Sequence, residues 1–195
     1  MAEPLCPPWL SFTLTNALRR MAHDPVRILG PFLREGDVAF DVGCGPGFFS
    51  VPMALLVGER GLVVAVDIQP AMLEKTRRRA ERAGVADRVR LHLAAADRLG
   101  LDLKADFALV FWAAHEVWDP ERFFGEIRAG LRAGGRLLLV EPRGHVTARR
   151  FDEIVSAAAR AGFEGTEAPE IRLSRAVVLR PRPDPRNPPA ADIGS

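Results

Sequence analysis

Glycines at alternate positions mark a loop that could hold a ligand. Residues 41–47 (DVGCGPG) follow a short apolar run. Glycines at this spacing allow a sharp turn and let the backbone come close to a bound molecule. Counting from Gly43 and Gly45, Phe48 replaces the third glycine of a dinucleotide fingerprint, and the Lys-Ser/Thr pair of a phosphate loop is missing. A nucleoside without pyrophosphate fits this loop best, although a tight turn with no ligand could carry the same glycines.

An acidic residue, Asp67, ends the next apolar run. The carboxyl ends of neighbouring parallel strands lie side by side, so Asp67 is expected beside the glycine loop. Its two oxygens can accept hydrogen bonds from both hydroxyls of a ribose. An aspartate here could also cap the helix that Pro70 begins, but its combination with the glycine loop favours ribose recognition.

Polar side chains that could act on a substrate follow two later strands. They are Trp112, His115, Glu116 and Trp118 after the fourth strand, and Glu141, Arg143 and His145 after the fifth. With a reference pKa of about 6.5, His115 could accept a proton from a hydroxyl or a ring nitrogen. Alternatively, His115 and Glu116 begin or orient a helix and form only local hydrogen bonds. Glu116 could instead bind a cationic substrate, or pair with Arg143. Tyrosine is absent, so proton transfer would fall to His115, a carboxylate or water.

A parallel sheet is needed to bring these residues to one edge. Short apolar runs alternate with helical stretches, which predicts an open parallel sheet covered by helices on both faces. The predicted strands are 38–42, 62–66, 89–93, 107–112 and 136–140, and the predicted helices are 47–57, 70–83, 120–131 and 147–161. Strands 163–166 and 171–179 have only a short loop between them and must therefore pair antiparallel. Residues 9–23 and a short stretch from Asp24-Pro25 towards Leu33 are predicted to be helical.

Composition narrows the class of protein. The chain has 195 residues, 48% of them hydrophobic, and a net charge of +2, which predicts one soluble globular domain. Cys6 and Cys44 are the only cysteines, and no metal-ligand cluster is visible, so neither disulfides nor a metal is expected. No apolar run approaches the ~20 residues of a membrane span, so a cytoplasmic protein is expected. The 25 arginines are spread along the chain, which makes a nucleic-acid partner unlikely.

Four segments, in this order, resemble the class I S-adenosylmethionine-dependent methyltransferases. They are VAFDVGCGPGFFS (38–50), VVAVDIQPAML (63–73), DFALVFWAAHEVWDP (106–120) and LRAGGRLLLVEP (131–142). The resemblance is closest to small bacterial and archaeal members of the small-molecule type. It implies an α/β fold, the three-layer α/β/α Rossmann-like methyltransferase fold. Its seven-stranded, mostly parallel sheet has the order 3-2-1-4-5-7-6 and an antiparallel last strand.

The resemblance also implies a cofactor, S-adenosyl-L-methionine, with S-adenosyl-L-homocysteine as its product. The residues expected to bind it are Asp41, Gly43, Cys44, Gly45, Gly47, Asp67, Ile68, Met72, Ala96, Asp97 and Trp112. The sequence departs from the family pattern after the third strand, where Ala95 replaces the acid that usually contacts adenine. Asp97 stands two residues later. Either it reaches the adenine from a shifted loop, or backbone groups alone make the contact.

We therefore expect an enzyme that transfers a methyl group to a small-molecule acceptor by in-line displacement, with His115 and Glu116 as candidate catalytic residues. The expected organisation is an N-terminal helical lid (1–35), the methyltransferase domain (36–180) and a proline-rich disordered tail (181–195). The protein is expected to be a monomer or a homodimer. Two alternatives remain open: a noncatalytic relative that binds the same cofactor and serves a partner protein, and a methyltransferase acting on RNA or protein.

Overall fold

A computed structural model describes residues 23–183, and within this range seven strands form a sheet in the order β3-β2-β1-β4-β5-β7-β6. The strands are β1 (Val38–Val42), β2 (Leu62–Asp67), β3 (Val89–Leu93), β4 (Ala105–Phe111), β5 (Leu131–Pro142), β6 (Phe163–Glu167) and β7 (Ser174–Pro181). Strands β1 to β5 pair in parallel, and β7 is antiparallel to both β5 and β6. The predicted order and the predicted antiparallel hairpin are confirmed.

The helices are α1 (Pro25–Leu29), α2 (Ser50–Val57), α3 (Pro70–Arg82), α4 (Pro120–Gly130) and α5 (Ala148–Arg160). The predicted start of α1 is confirmed, because the Asp24 side chain accepts hydrogen bonds from the backbone N–H groups of Val26 and Arg27. Asp119 caps α4 and Thr147 caps α5 in the same way. The predicted helical stretch towards Leu33 is too long, because α1 ends at Leu29.

The sheet is buried on both faces. On one face, Leu137 and Leu139 of β5 belong to a core cluster with Phe124 of α4 and Ile154 of α5. On the other face, Leu138 and Val140 join a second cluster that includes residues of α1 and α2, among them Leu29, Met53 and Ala54. Successive side chains of a strand point to opposite faces, so apolar runs such as 137–140 supply both clusters. The three-layer arrangement follows.

Two strands, β5 and β7, start three or more residues away from their predicted starts. Strand β5 begins at Leu131 rather than Arg136, because Leu131 already pairs with Ala105 and an irregularity follows before Arg136 pairs with Phe107. Strand β7 begins at Ser174 rather than at residue 171, because the chain turns at Leu173, which has a φ of 59°.

The predicted tail starts too early. Pro181 belongs to β7 and pairs with Phe163, and the backbone N–H of Arg182 donates to the carbonyl of Gly162. Residues 184–195 of the predicted tail, and residues 9–22 of the predicted first helix, lie outside the described residues. Between residues 23 and 183, the helices are too short or too polar to cross a membrane.

Removal of the Phe107 ring is expected to destabilise the fold by about 3–5 kcal/mol, because it would leave a cavity in the centre of the sheet. Phe107 has no exposed surface, and its ring stacks on Phe32 at a centroid distance of 5.6 Å. Guanidinium denaturation of Phe107→Ala measures the loss. Leu55→Ala is the control, since Leu55 is 56% exposed and should cost well under 1 kcal/mol. Equal losses in the two variants would contradict the assigned core.

Candidate functional site at the carboxyl edge of the sheet

The glycine loop is fixed against two strands. The backbone N–H groups of Gly43 and Cys44 both donate to the carbonyl of Val66, at 2.9 Å. Gly43 has a φ of 74°, and a Cβ at this position would lie 2.6 Å from the Cβ of Ala113. Only glycine therefore lets the loop pack directly against the segment that follows β4. Gly45 also has a positive φ (53°), but a Cβ there would meet no atom of the described chain within 4 Å.

Asp67 links the loop to helix α3. Its Oδ2 accepts a hydrogen bond from the N–H of Gly45, and its Oδ1 accepts one from the N–H of Gln69, both at 2.9 Å. Burial raises the pKa of Asp67, and these backbone N–H groups partly oppose the rise. The predicted proximity to the glycine loop is thus observed. Each carboxylate oxygen can accept more than one hydrogen bond, so the backbone contacts leave capacity for a ligand.

Thr76 of α3 is part of this loop structure, and the sequence reasoning missed it. Its hydroxyl donates to the carbonyl of Gly45 at 2.9 Å. A Cβ on Gly47 would lie 2.9 Å from the Thr76 side chain, so the glycine permits the close contact. The available signal was a threonine within the buried stripe of α3, between Met72 and Ala80. A polar side chain in such a stripe needs a partner, and here the partner is the loop.

Two buried residues of the first motif also have structural partners. Asp41 of β1 accepts a hydrogen bond from the Ser50 hydroxyl at 2.5 Å, and both side chains are buried. Cys44 is 6% exposed, and its thiol lies 3.9 Å from the Thr76 hydroxyl. Burial, together with the charges of Asp41 and Asp67, raises the pKa of Cys44. The thiol form is therefore favoured, in keeping with a lining rather than a nucleophilic role.

A half-buried histidine and a buried glutamate form a pair at the ends of β4 and β5. His115 stands in a single 3₁₀ turn, Ala114–Glu116, and its Nδ1 is 2.5 Å from Oε2 of Glu141. Glu141 has no exposed surface, and its Oε1 accepts the backbone N–H of Ala114 at 2.8 Å. A carboxylate can only accept hydrogen bonds, so Nδ1 carries the hydrogen and Nε2 is left as the basic nitrogen of the neutral ring. Glu141 was expected after β5 but lies within it, pointing at His115.

The charges around His115 change its acidity. Burial lowers the pKa of His115, but the hydrogen bond and charge of Glu141 and the charge of Glu116 outweigh it, so the pKa is raised overall. Arg150 of α5 opposes the rise. Burial raises the pKa of Glu116, whose Oε1 is 3.8 Å from Nε2 of His115. The two predicted catalytic residues therefore lie together, and a second carboxylate, that of Glu141, contacts the same ring.

Trp112 joins the segment that follows β4 to the start of β7. It follows β4 instead of ending it as predicted, and it has a φ of 61°. Its indole N–H donates to the hydroxyl of Ser174 at 3.1 Å, and its backbone N–H donates to the carbonyl of Val140 at 2.7 Å. The ring also packs edge-on against His23 at 5.2 Å. Non-glycine residues at positive φ cost free energy and are concentrated at functional sites.

The residues predicted to contact adenine lie in two environments. Ile68 is 37% exposed next to Asp67, whereas Met72 is buried with 2% exposure. Ala96 and Asp97 form the tip of a tight turn, because the backbone groups of Ala95 and Arg98 exchange hydrogen bonds. The Asp97 side chain is 79% exposed and reaches within 4.0 Å of Arg122 on α4. A contact between Asp97 and adenine stays a prediction.

Arg143, His23 and His92 have backbone carbonyls as partners. Arg143 does not pair with Glu116, since its Nε donates to the carbonyl of Ser174 at 2.9 Å. His23 is buried, with Nε2 2.9 Å from the carbonyl of Arg172, and His92 on the edge strand β3 is 2.6 Å from the carbonyl of Leu99. His145 is exposed, and Trp118 is 86% exposed. Among residues 23–183, no three His, Cys, Asp or Glu side chains are grouped to hold a metal ion.

The sheet order 3-2-1-4-5-7-6, the glycine loop after β1 and the acid at the end of β2 together define the class I S-adenosylmethionine-dependent methyltransferase fold. The chain belongs to the family described as "Methyltransferase domain" (Methyltransf_31), whose model matches residues 33–170. A solved structure, the SAM-dependent methyltransferase from Aquifex aeolicus, superposes with a TM-score of 0.79 at 22% identity. The superposition covers 90% of this chain and 98% of the other, which shows a shared fold.

Curated proteins share parts of the sequence. A probable cobalt-precorrin-6B C(15)-methyltransferase (decarboxylating) of Pyrobaculum calidifontis is 54% identical over 57 residues, 29% of each chain. A protein of the same name from Saccharolobus solfataricus is 26% identical over 165 residues, 84% of this chain and 77% of its own. The demethylmenaquinone methyltransferase of Symbiobacterium thermophilum is 36% identical over 109 residues, 55% of this chain and 43% of its own. The chain thus spans less than half the length of the first and third of these relatives.

Replacing Glu141 by glutamine is expected to lower the pKa of His115, because burial persists while the neighbouring charge is lost. The glutamine amide can still accept from Ala114 and can donate to Nδ1, which would move the ring hydrogen to Nε2. NMR titration of the imidazole measures both effects.

The raised pKa makes His115 stabilise the fold of the unaltered protein fully below about pH 6.5, and this stabilisation fades as the pH rises through the folded-state pKa.

Glu116→Gln is the matched control for that titration. Glu116 is 3.8 Å from the ring and makes no hydrogen bond to it, so the pKa of His115 should fall less and the hydrogen should stay on Nδ1. An unchanged pKa and an unchanged tautomer in Glu141→Gln would contradict the pairing.

Proposed function

We propose that this protein is an S-adenosylmethionine-dependent methyltransferase that acts on a small-molecule acceptor, with His115 as the proton-accepting group. The observation that carries the proposal is the direct packing of the glycine loop against the turn that bears His115. Gly43 touches Ala113, and Ala114 is bound by the same carboxylate that holds His115. One set of contacts thus holds the glycine loop next to the turn that carries His115.

The residues of the loop fit the proposed cofactor. The backbone at Gly45 offers open space where a side chain would begin, which suits close approach by a ligand. Asp67 lies at the end of β2 with hydrogen-bonding capacity for ribose hydroxyls, while Ile68 presents an exposed apolar side chain beside it. The loop lacks the residues of a pyrophosphate or triphosphate site. Asp41, Gly47, Met72 and Trp112 would complete or support the site.

The chemistry divides between the cofactor and the chain. S-adenosylmethionine supplies an activated methyl group when bound. The glycine loop and Asp67 hold the nucleoside, which fixes where the acceptor atom must lie. Nε2 of His115 accepts the proton that a hydroxyl or amine acceptor releases, and the buried charge of Glu141 stabilises the imidazolium that results. Glu116 adds a second negative charge 3.8 Å from that nitrogen.

The relatives support a small acceptor. The cobalt-precorrin and demethylmenaquinone methyltransferases are named for small-molecule substrates. In addition, the described residues 23–183 are largely used by the strands and helices of the methyltransferase core. An insertion that could recognise RNA or a protein surface is not found among them.

Transfer of a labelled methyl group from S-adenosylmethionine into a metabolite extract tests the function. We expect label in the small-molecule fraction and little in RNA or protein. His115→Gln should reduce kcat by about 10²–10⁴-fold with little effect on cofactor affinity, because it removes a base and no cofactor contact. Label found only in RNA would overturn the small-molecule assignment. Cofactor binding without any transfer would favour a noncatalytic relative.

Asp67→Ala is expected to weaken S-adenosylmethionine binding by about 1–3 kcal/mol, the free energy of one or two hydrogen bonds to a charged group. Calorimetry measures the affinity, and Asp67→Asn separates charge from shape, since the amide oxygen can still accept. Glu59→Ala serves as the control, because Glu59 is 88% exposed. No binding by the unaltered protein would refute the cofactor assignment.

A further inference from the structure

A cavity of about 250 Å³ lies next to the proposed active site. Its walls include Arg143, Phe151, Glu170, Ser174 and Arg175. Because β7 is antiparallel to β5, the start of β7 lies at the carboxyl end of β5, the same edge of the sheet that holds His115. The cavity is too small for a whole drug-sized ligand, but its volume suits one substituent of an acceptor.

Two arginines are held in fixed positions at this cavity. Nε of Arg143 donates to the carbonyl of Ser174 at 2.9 Å, and Nη1 of Arg175 donates to the carbonyl of Val146 at 2.8 Å. Within residues 23–183, neither side chain has a carboxylate partner. Each guanidinium has five N–H donors, so both retain donors for a ligand. Backbone carbonyls orient these cations without neutralising them.

The cavity is connected to His115 through Glu141. Arg175 is the cross-strand partner of Glu141, so their side chains share one face with Cβ atoms about 4.5–5.5 Å apart. Glu141 in turn accepts a hydrogen bond from the His115 ring. Ser174 of the cavity wall also accepts the indole N–H of Trp112, which precedes His115 on the chain. The cavity therefore lies at the same edge of the sheet as His115 and is connected to it through Glu141 and Trp112.

A strained backbone residue, Leu173, directly precedes Ser174 of the cavity wall. Leu173 has a φ of 59° and is 60% exposed, so burial of its side chain does not explain the conformation. The carbonyl of Leu173 accepts the backbone N–H of Arg143 at 2.9 Å. This contact fixes the start of β7 next to Arg143. A strained residue that aligns an arginine is consistent with a site selected for binding.

We infer that Arg143 and Arg175 bind an anionic group, a carboxylate or a phosphate, on the methyl acceptor; this inference rests on the proposed function. The guanidinium fork matches the paired oxygens of both groups. Phe151 supplies an apolar wall beside the arginines. Glu170 also lines the cavity, so the three charged side chains of the wall, Arg143, Arg175 and Glu170, have a net charge of +1.

NMR titration with simple anions tests the site without requiring catalysis. The probes are benzoate and phenyl phosphate, with neutral benzamide as the matched control. We expect saturable shifts of the Nε–H signals of Arg143 and Arg175 with one or both anions, and none with benzamide. The relative affinities of the two anions distinguish a carboxylate from a phosphate site. Absent shifts, or equal shifts with benzamide, would overturn the inference.

Variants locate the binding. Arg143→Gln should weaken anion binding about tenfold or more, because it removes a charge-assisted hydrogen bond. Arg143→Lys keeps the charge but loses the guanidinium fork, so its anion affinity should lie between those of the unaltered protein and Arg143→Gln. Arg149→Gln is the control, since Arg149 is 91% exposed and pairs with Glu153. Unchanged affinity in Arg143→Gln, with the fold verified by its amide spectrum, would contradict the site.

The transfer assay then separates this inference from the proposed function. The metabolite extract is divided on an anion exchanger, and label is expected in the retained fraction, reduced about tenfold by Arg143→Gln with unchanged affinity for S-adenosylmethionine. Label confined to the unretained fraction would overturn the role of the site in acceptor binding. If no fraction is labelled, the proposed function fails, and the anion titration alone decides whether the site exists.

Discussion

A fully buried carboxylate must find partners, and Glu141 obtains them from two directions. Its oxygens bind the Ala114 N–H and the His115 ring, so the turn after β4 is tied to the end of β5. Leaving a buried charge without such partners would cost several kcal/mol. Rotation of the turn would break both hydrogen bonds and leave the Glu141 charge buried without partners. That constraint keeps His115 in one orientation, and it holds Ala113 where the glycine loop can pack against it.

Asp67, at the end of β2, is a second buried carboxylate that needs hydrogen-bond partners. Its carboxylate is mostly buried, and backbone N–H groups of Gly45 and Gln69 stabilise it. The same side chain thereby binds the loop and the backbone of Gln69, the residue that precedes helix α3. A group with both duties is positioned before any ligand arrives, so binding would require little reorganisation. The two carboxylates together frame the edge of the sheet from β2 to β5.

The fold could be predicted because its signals are local. Apolar runs and prolines at helix starts predicted the strands, the helices and the antiparallel hairpin, and the glycine loop predicted the neighbourhood of Asp67. The strand order came from the resemblance to the methyltransferases. Contacts between distant residues were harder to predict. The pairing of Glu141 with His115 depends on the face of β5 that carries Glu141, and a shifted start of that strand is invisible in the apolar pattern. Thr76 was missed because its partner is a backbone carbonyl far away in sequence.

The antiparallel direction of β7 separates the two ends of the described chain. His23 packs on Trp112 at the edge that holds the site, whereas β7 carries residues 181–183 to the amino edge of the parallel strands, beside Phe163 and Gly162. Residue 183 thus lies at the edge of the sheet opposite the site. An affinity tag or a fluorescent label joined directly after residue 183 would begin on that remote edge, which makes it the side of choice for immobilising the protein with its site accessible.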